Sequence, residues 1–301
     1  MLREVLEETT DLLGWEGEKN VGEIFVIFLC AIVQGLTEFL PISSSGHLLL
    51  IQHFQKGFVG DSVFLYVTLH MGTLVTILLT YWKVILKLAS ETVHLISDLV
   101  KRRYTNSYHR KLLTLLATSS APLLITFIFR KQYKQVMNLS NIVLLGVFFL
   151  FTATIVWFSG KKIQGSKSAA EMRYADALLI GLAQALIAPL PGISRSGITI
   201  AVGLVLGLSI KYCIMYSFLL SIPTILAAEL VNVSESTSQI GRGDWWLLPV
   251  AVLISVIVGC ICVNILEKAI RKNKFRLFAY YTAFVGTFAI AIGTLEHLNI
   301  L

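Results

Sequence analysis

The chain has 301 residues, of which 55% are hydrophobic and only 14% charged, and it carries a net charge of +7. With a mean hydropathy of +0.75, this balance excludes an ordinary soluble domain. The excess of Lys and Arg does not indicate nucleic acid, because it is concentrated in short segments between apolar stretches, where membrane proteins keep their orientation signals.

In chain order, the apolar stretches cover 24–40, 47–55, 62–82, 112–129, 140–159, 176–190, 198–208, 211–231, 246–266 and 277–295. A helix needs about 20 residues to cross a hydrocarbon core of about 30 Å, and backbone in lipid must satisfy its own hydrogen bonds, so these stretches are predicted helices. The opening is acidic (Glu4, Glu7, Glu8, Asp11, Glu16, Glu18), which reads against a cleaved signal peptide. Three basic segments are expected as cytoplasmic loops. They are 83–111 (Lys83, Lys87, Lys101, Arg102, Arg103, Arg110, Lys111), 160–175 (Lys161, Lys162, Lys167, Arg173) and 267–276 (Lys268, Arg271, Lys272, Lys274, Arg276). Loop 232–245, with Glu235, Asp244 and a single Arg242, then faces outward, whereas Arg130, Lys131 and Lys134 run against the rule by falling outside. Trp245 and Trp246 read as an aromatic belt at a membrane boundary. Cys30, Cys213, Cys260 and Cys262 all lie in apolar stretches and read as core residues rather than a disulfide framework or a zinc site.

With 160–175 and the start of 211–231 both cytoplasmic, the intervening chain must cross an even number of times or turn back inside the membrane. Segments 176–190 and 198–208 are too short to cross comfortably, which makes 176–208 a re-entrant hairpin from the inside. The same count makes 24–55 a re-entrant hairpin from the outside. Self-similarity supports the pairing. Residues 34–46 lie over 184–197 with Gly192 inserted, and the Gln, Leu, Leu, Pro, Ile, Ser, Ser and Gly positions agree. The predicted fold class is therefore an all-α polytopic membrane protein with an inverted-topology repeat, about six transmembrane helices and two re-entrant hairpins. The organisation is an acidic extension 1–22, a first repeat 23–160 (hairpin 24–55 plus three spans) and a second repeat 161–301 (hairpin 176–208 plus three spans).

Each hairpin tip holds a Pro that stops the incoming helix, then a Ser-rich stretch that starts the next one. A helix start offers free N–H groups, partial positive charge and hydroxyls, all suited to anionic oxygens. Ser43, Ser45 and Gly46 in the first tip, and Ser194, Ser196 and Gly197 in the second, are candidate substrate-binding positions, with Thr199 one turn further on. Arg195 adds a forked cation that matches phosphate, and an intramembrane Arg signals function by default. Gln34 and Glu38 share one helix face and are candidate ligands for an oxygen-bound divalent cation, Mg²⁺ or Ca²⁺. His47 follows the Ser run and is a candidate for proton transfer or nucleophilic attack beside Ser44. Ala188 stands opposite Glu38 and Ile198 opposite His47, so metal and proton chemistry are assigned to the first hairpin and phosphate clamping to the second. His53, His70, His94, His109 and His297 read as core or interfacial residues, and Glu229 as an interface residue near the outer end of its span.

The motifs QGLTEFLPISSSGH and PGISRSGIT resemble the paired signatures of the undecaprenyl-diphosphate phosphatase family, also called bacitracin-resistance proteins. The resemblance extends over the whole chain in length, motif order and hydropathy. It implies hydrolysis of the C55 isoprenoid diphosphate to the monophosphate carrier and phosphate with a divalent cation. It further implies a bacterial plasma membrane, a cavity open to the outer face, and recycling of the cell-wall lipid carrier, which confers bacitracin resistance. Carried over by motif position, Gln34 and Glu38 become metal or substrate groups, and His47 with Ser44 a nucleophile and base pair, with Ser44 attack, His47 attack and attack by metal-activated water all left open. Ser194, Arg195, Ser196 and Thr199 become phosphate binders. Gln34 takes the less acidic option at its position, which weakens a two-carboxylate metal site. The expected partners are a polyprenyl diphosphate and membrane lipid, with no nucleic acid, and a homodimer is allowed.

A second function class fits the same architecture, because inverted repeats with re-entrant hairpins also build anion or lipid-phosphate transporters and flippases. His47 beside Glu38 separates the two readings, since a pure carrier has little use for a proton-transfer group.

Overall fold

The computed structural model describes residues 21–55, 62–102, 107–139, 141–161, 165–235, 246–272, 274–298 and 300. The acidic stretch 1–20 and Trp245 lie outside the described residues. Within them the secondary structure is helical: α1 (Val21–Phe39), α2 (Ser44–Phe54), α3 (Ser62–Thr80), α4 (Trp82–Val100), α5 (Tyr108–Ser120), α6 (Leu123–Ile128), α7 (Arg130–Leu139), α8 (Ile142–Ser159), α9 (Tyr174–Leu186), α10 (Arg195–Val205), α11 (Ile210–Glu235), α12 (Leu247–Arg271) and α13 (Leu277–His297). Five stretches, Tyr108–Ile128, Ile142–Ser159, Ile210–Leu230, Leu247–Ile270 and Leu277–His297, are long and apolar enough to cross a membrane, and the bent pair α3/α4 would make a sixth. The chain is an all-α, multi-pass membrane protein, as its hydropathy demands.

Physical causes for the boundaries are local. Asn141 starts α8 by accepting the Leu144 N–H at 2.9 Å, and Ser107 starts α5 by accepting from the Arg110 N–H at 3.1 Å, both ordinary N-caps. The expected span over 112–129 is split between α5 and α6 at Ala121–Pro122, because Pro122 cannot donate to the ladder. Pro223 sits inside α11, where packed neighbours and side-chain hydroxyls make such a break tolerable.

Segment 83–111, expected as a basic loop, is largely the helix α4, bent 87° away from α3. The charges of α4 lie on one side of its helical period. Trp82, Leu86, Val93, Ile96 and Val100 lie on one exposed face while Leu88 is buried on another. Arg110 at the start of α5 holds α4 in place, bonding Glu91 at 3.3 Å and Asp98 at 2.6 Å.

The packing is compatible with an inverted repeat. Helix α1 packs on α12 and α9 on α5, while α8 pairs with α13 and α3 with α11. A β-carbon on Gly35 of α1 would lie 2.7 Å from the Ser255 carbonyl of α12, and one on Gly181 of α9 would meet the Ser119 carbonyl of α5. Without a hydrophobic drive between helices in lipid, such small-residue contacts carry association. Helix α8 also crosses α13 closely: a β-carbon on Gly146 would stand 2.6 Å from the Gly286 carbonyl, and one on Gly286 would stand 2.8 Å from the Gly146 carbonyl. Gly286→Leu is therefore expected to pry this pair apart at a cost of about 1–3 kcal/mol, visible as earlier thermal unfolding of detergent-solubilised protein. Unchanged unfolding would show that the crossing contributes little.

Candidate active site

Both hairpin tips break for reasons written in their residues. Pro41 ends α1, and Ser43 enters α2 through a left-handed backbone (φ 72°), a conformation that costs a non-glycine residue free energy and clusters at functional sites. The Ser43 hydroxyl caps α2 by accepting from the Gly46 N–H at 3.2 Å. In the second tip Ser194 caps α10 in the same manner, accepting from the Gly197 N–H at 3.0 Å. There the turn is made by Gly192 (φ 85°). Thr152 of α8 braces it, donating to the Gly192 carbonyl at 3.0 Å and accepting from the Ser194 N–H at 3.1 Å. The tips touch directly. A β-carbon on Gly46 would lie 2.9 Å from the Gly192 α-carbon and 2.5 Å from the Phe149 ring, so only glycine fits between them. Ser196 closes the joint by reaching the carbonyls of Glu38 (3.4 Å) and Leu40 (3.3 Å) at the end of α1.

Where the tips meet there is a cavity of about 230 Å³, walled by Thr37, Glu38, Ser44 and Ser45 of the first hairpin and by Ala188, Ile193, Ser194, Arg195 and Ser196 of the second. His70 of α3 and Thr224, Ile225, Ala228 and Glu229 of α11 complete it. Glu38 is its hub. One carboxylate oxygen accepts from Arg195 Nη2 at 2.6 Å. The other accepts from the Ser44 hydroxyl at 2.6 Å and from Gln34 Nε2 at 3.1 Å. The Arg195 and Glu38 side chains are only 15% and 6% exposed, so each charge depends on the other, and breaking the pair strands a buried ion. Of the buried side-chain atoms without a partner among the described residues, two belong to this site: Arg195 Nη1, a donor, and Gln34 Oε1, an acceptor. Buried polar atoms are normally paired, so an unsatisfied donor on the cavity-lining Arg195 leaves a place there for an acceptor.

The candidates from sequence divide by position. Glu38, Ser44, Ser45, Ser194, Arg195 and Ser196 line the cavity. Gln34 stands behind Glu38, and Ser43, Gly46 and Gly197 form the caps. Thr199 turns away to α11, bonding the Ser217 hydroxyl at 2.6 Å. His47 lies on the far side of the serine stretch, outside the cavity lining. Its Nδ1 donates to the Ser43 carbonyl at 2.6 Å, which leaves Nε2 to accept from the Tyr281 hydroxyl at 3.0 Å. Its ring stacks on Tyr281 and meets Phe149 edge-on.

Two residues outside the motifs also line the cavity. His70, expected in core or interface, donates Nδ1–H to the Tyr66 carbonyl at 2.8 Å. This directs Nε2 at Glu38, 3.8 Å away. Glu229, expected at the interface, is 7% exposed and lies 3.5 Å from His70. Neither sits in a motif, yet Glu229 is a carboxylate inside an apolar span, and that alone marks a functional position. His70→Leu is expected to cut turnover roughly tenfold by removing the imidazole that faces Glu38, and an unchanged rate would show the contact to be idle.

Comparison with known proteins shows the family. Residues 27–288 match the family described as Bacitracin resistance protein BacA. An undecaprenyl-diphosphatase of Alkaliphilus metalliredigens is 37% identical over 277 residues, covering 90% of this chain and 99% of that protein. Its counterpart in Desulforapulum autotrophicum is 33% identical over 276 residues (90% and 99%), and that of Methanosphaera stadtmanae 33% over 279 residues (90% and 98%). Nearly the whole fold, including both hairpin tips and every residue lining the cavity, lies within the matched region, and the chain belongs to the bacitracin resistance protein BacA family.

Proposed function

We propose that this protein hydrolyses undecaprenyl diphosphate to undecaprenyl phosphate and inorganic phosphate. The observation that carries the reading is Ser44 held 2.6 Å from Glu38 in the same cavity as Arg195. A hydroxyl beside a carboxylate is a nucleophile with its proton acceptor in place, and a guanidinium suits the phosphoryl oxygens. Ser44 Oγ attacks the terminal phosphorus as the bond from phosphorus to the bridging oxygen breaks, and the lipid monophosphate departs. The hydroxyl proton passes to Glu38. Water then attacks the phosphoserine, inorganic phosphate leaves, and Glu38 returns the proton to Ser44. Arg195 Nη1 and the N–H groups at the start of α10 bind the phosphoryl oxygens. His47 acts from behind, holding the Ser43 carbonyl and with it the strained turn that presents Ser44.

A divalent cation, Mg²⁺ or Ca²⁺, accompanies the diphosphate. Two carboxylates and one guanidinium face the cavity, so a diphosphate alone would pile negative charge into a buried site. Among the described residues no cluster of three or more His, Cys, Asp or Glu could hold a metal by itself. Mg²⁺ is commonly held through one or two carboxylates plus substrate phosphates, and Glu38 with the unpaired Gln34 Oε1 suits that mode. The ion would neutralise and polarise the phosphoryl group.

The protein acts in the cytoplasmic membrane with its cavity open to the outer face, recycles the lipid carrier of cell-wall synthesis and thereby raises bacitracin resistance, and it could pair as a homodimer. The transporter reading draws no support from the relatives named above. In the test, purified protein receives a C55 or C15 diphosphate with Mg²⁺ and released phosphate is measured. Turnover should fall to background with excess chelator and return with Mg²⁺. No phosphate from the native protein would revive the transporter, and full activity in chelator would remove the cation.

A further inference from the structure

Helix α4 has no part in the chemistry above, yet its surface is organised. Exposed Trp82, Leu86, Val93, Ile96 and Val100 follow one another at helical spacing and make a continuous apolar stripe along its length. On a second face Leu88 is buried in the protein core, with Val84 and Ile85 packed beside it. On a third, Glu91 and Asp98 are both bonded to Arg110. These are the only acidic residues of α4, so the remaining charge is cationic, from Lys83 and Lys87, with Lys101 and Arg102 just past its end. Lys83 and Lys87 lie between the stripe and the acidic face.

The bend decides what meets the stripe. Helix α3 is apolar, and α4 turns away from it by 87°. If α3 runs along the membrane normal, α4 runs in the membrane plane at the boundary where α3 ends. There its stripe faces acyl chains and its Lys edge faces headgroups, the arrangement of an interfacial amphipathic helix. Solvation by water would leave the stripe exposed along the whole helix, and a second crossing would carry Glu91, Asp98 and two lysines into hydrocarbon.

We propose that α4 lies in the headgroup layer of the leaflet bordered by the basic segments, and that its Lys83/Lys87 edge binds anionic phospholipid. The ion pairs to Arg110 keep the acids of α4 turned away from that lipid.

The test uses the full-length protein in nanodiscs of either phosphatidylglycerol or phosphatidylcholine. Spin labels are placed by Val93→Cys, Ile96→Cys and Ser90→Cys in a Cys260→Ala background, the other three cysteines being buried. Labels at 93 and 96 should collide more with oxygen than with an aqueous nickel chelate, and the label at 90 the reverse. Native mass spectrometry should find phosphatidylglycerol retained in preference to phosphatidylcholine. Each lysine near an anionic surface contributes roughly fivefold in binding, so Lys83→Gln/Lys87→Gln should cut that preference about 25-fold. Nickel-accessible labels at 93 and 96 would overturn the interfacial placement, and equal retention in native and double-variant protein would overturn the anionic-lipid edge. Both lysines are exposed, so their loss should not disturb the fold.

Discussion

Arg195→Ala is expected to lower kcat/KM for diphosphate hydrolysis by on the order of 10³-fold, with KM rising and kcat falling together. Arg195 has two tasks. Its Nη1 is a buried donor without a partner, available to a phosphoryl oxygen in both the ground state and the transition state, so both binding and rate depend on it. Its Nη2 neutralises Glu38 at 2.6 Å, and removing it leaves a buried carboxylate uncompensated, a loss of about 3–5 kcal/mol of stability. The two tasks can be separated. Arg195→Ala combined with Glu38→Gln removes the stranded charge and should recover much of the thermal stability without recovering turnover. Arg195→Lys keeps the charge but loses the fork, so activity should be intermediate. If Arg195→Ala retained more than about a tenth of native kcat/KM, the phosphate-clamp assignment would fall, since loss of even one oxyanion donor typically costs about 10²–10³.

Ser44→Ala should be comparably damaging but different in kind. It removes the attacking oxygen while leaving Arg195, Ser194 and Ser196 to bind the diphosphate, so kcat should drop by at least about 10³-fold with KM nearly unchanged. A rapid acid quench of native protein turning over a diphosphate labelled in its terminal phosphate should trap label on Ser44. Label on His47, or undiminished turnover by Ser44→Ala, would reassign the nucleophile. His47→Ala provides the contrast. Because His47 bonds the Ser43 carbonyl and Tyr281 rather than lining the cavity, its loss should reduce mainly rate, through a loosened turn. Tyr281→Phe should then show a weaker version of the same defect.

Much of this was legible before any helix was placed in space. Periodic apolar stretches located α8, α11, α12 and α13 to within a few residues, because a crossing segment must satisfy its own backbone and lipid tolerates few charges along it. The prolines and serines of the two tips marked the helix breaks and the caps, because these depend on neighbours within four residues. Where long-range packing decides, the reading went astray. The charges of segment 83–111 resemble the topology signals of a loop, but Glu91 and Asp98 are neutralised by Arg110, a partner on the next helix. His70 and Glu229 belong to no motif and are 159 positions apart in the chain, so nothing local announces that they meet beside Glu38.

By itself, the order of residues determined a helical membrane protein with two serine-rich helix starts, one bearing a carboxylate and the other a guanidinium. Tertiary structure alone decided which side chains share the cavity. Contact of Gly46 with Gly192 joins the tips, α3 and α11 bring His70 and Glu229 to the cavity wall, and the aromatic pair Phe149 and Tyr281 turns His47 aside. The physical reason is one of range. Caps, turns and hydropathy are settled within one or two helical turns, whereas a buried ion pair or a pocket wall depends on helices far apart in the chain that lie side by side in lipid.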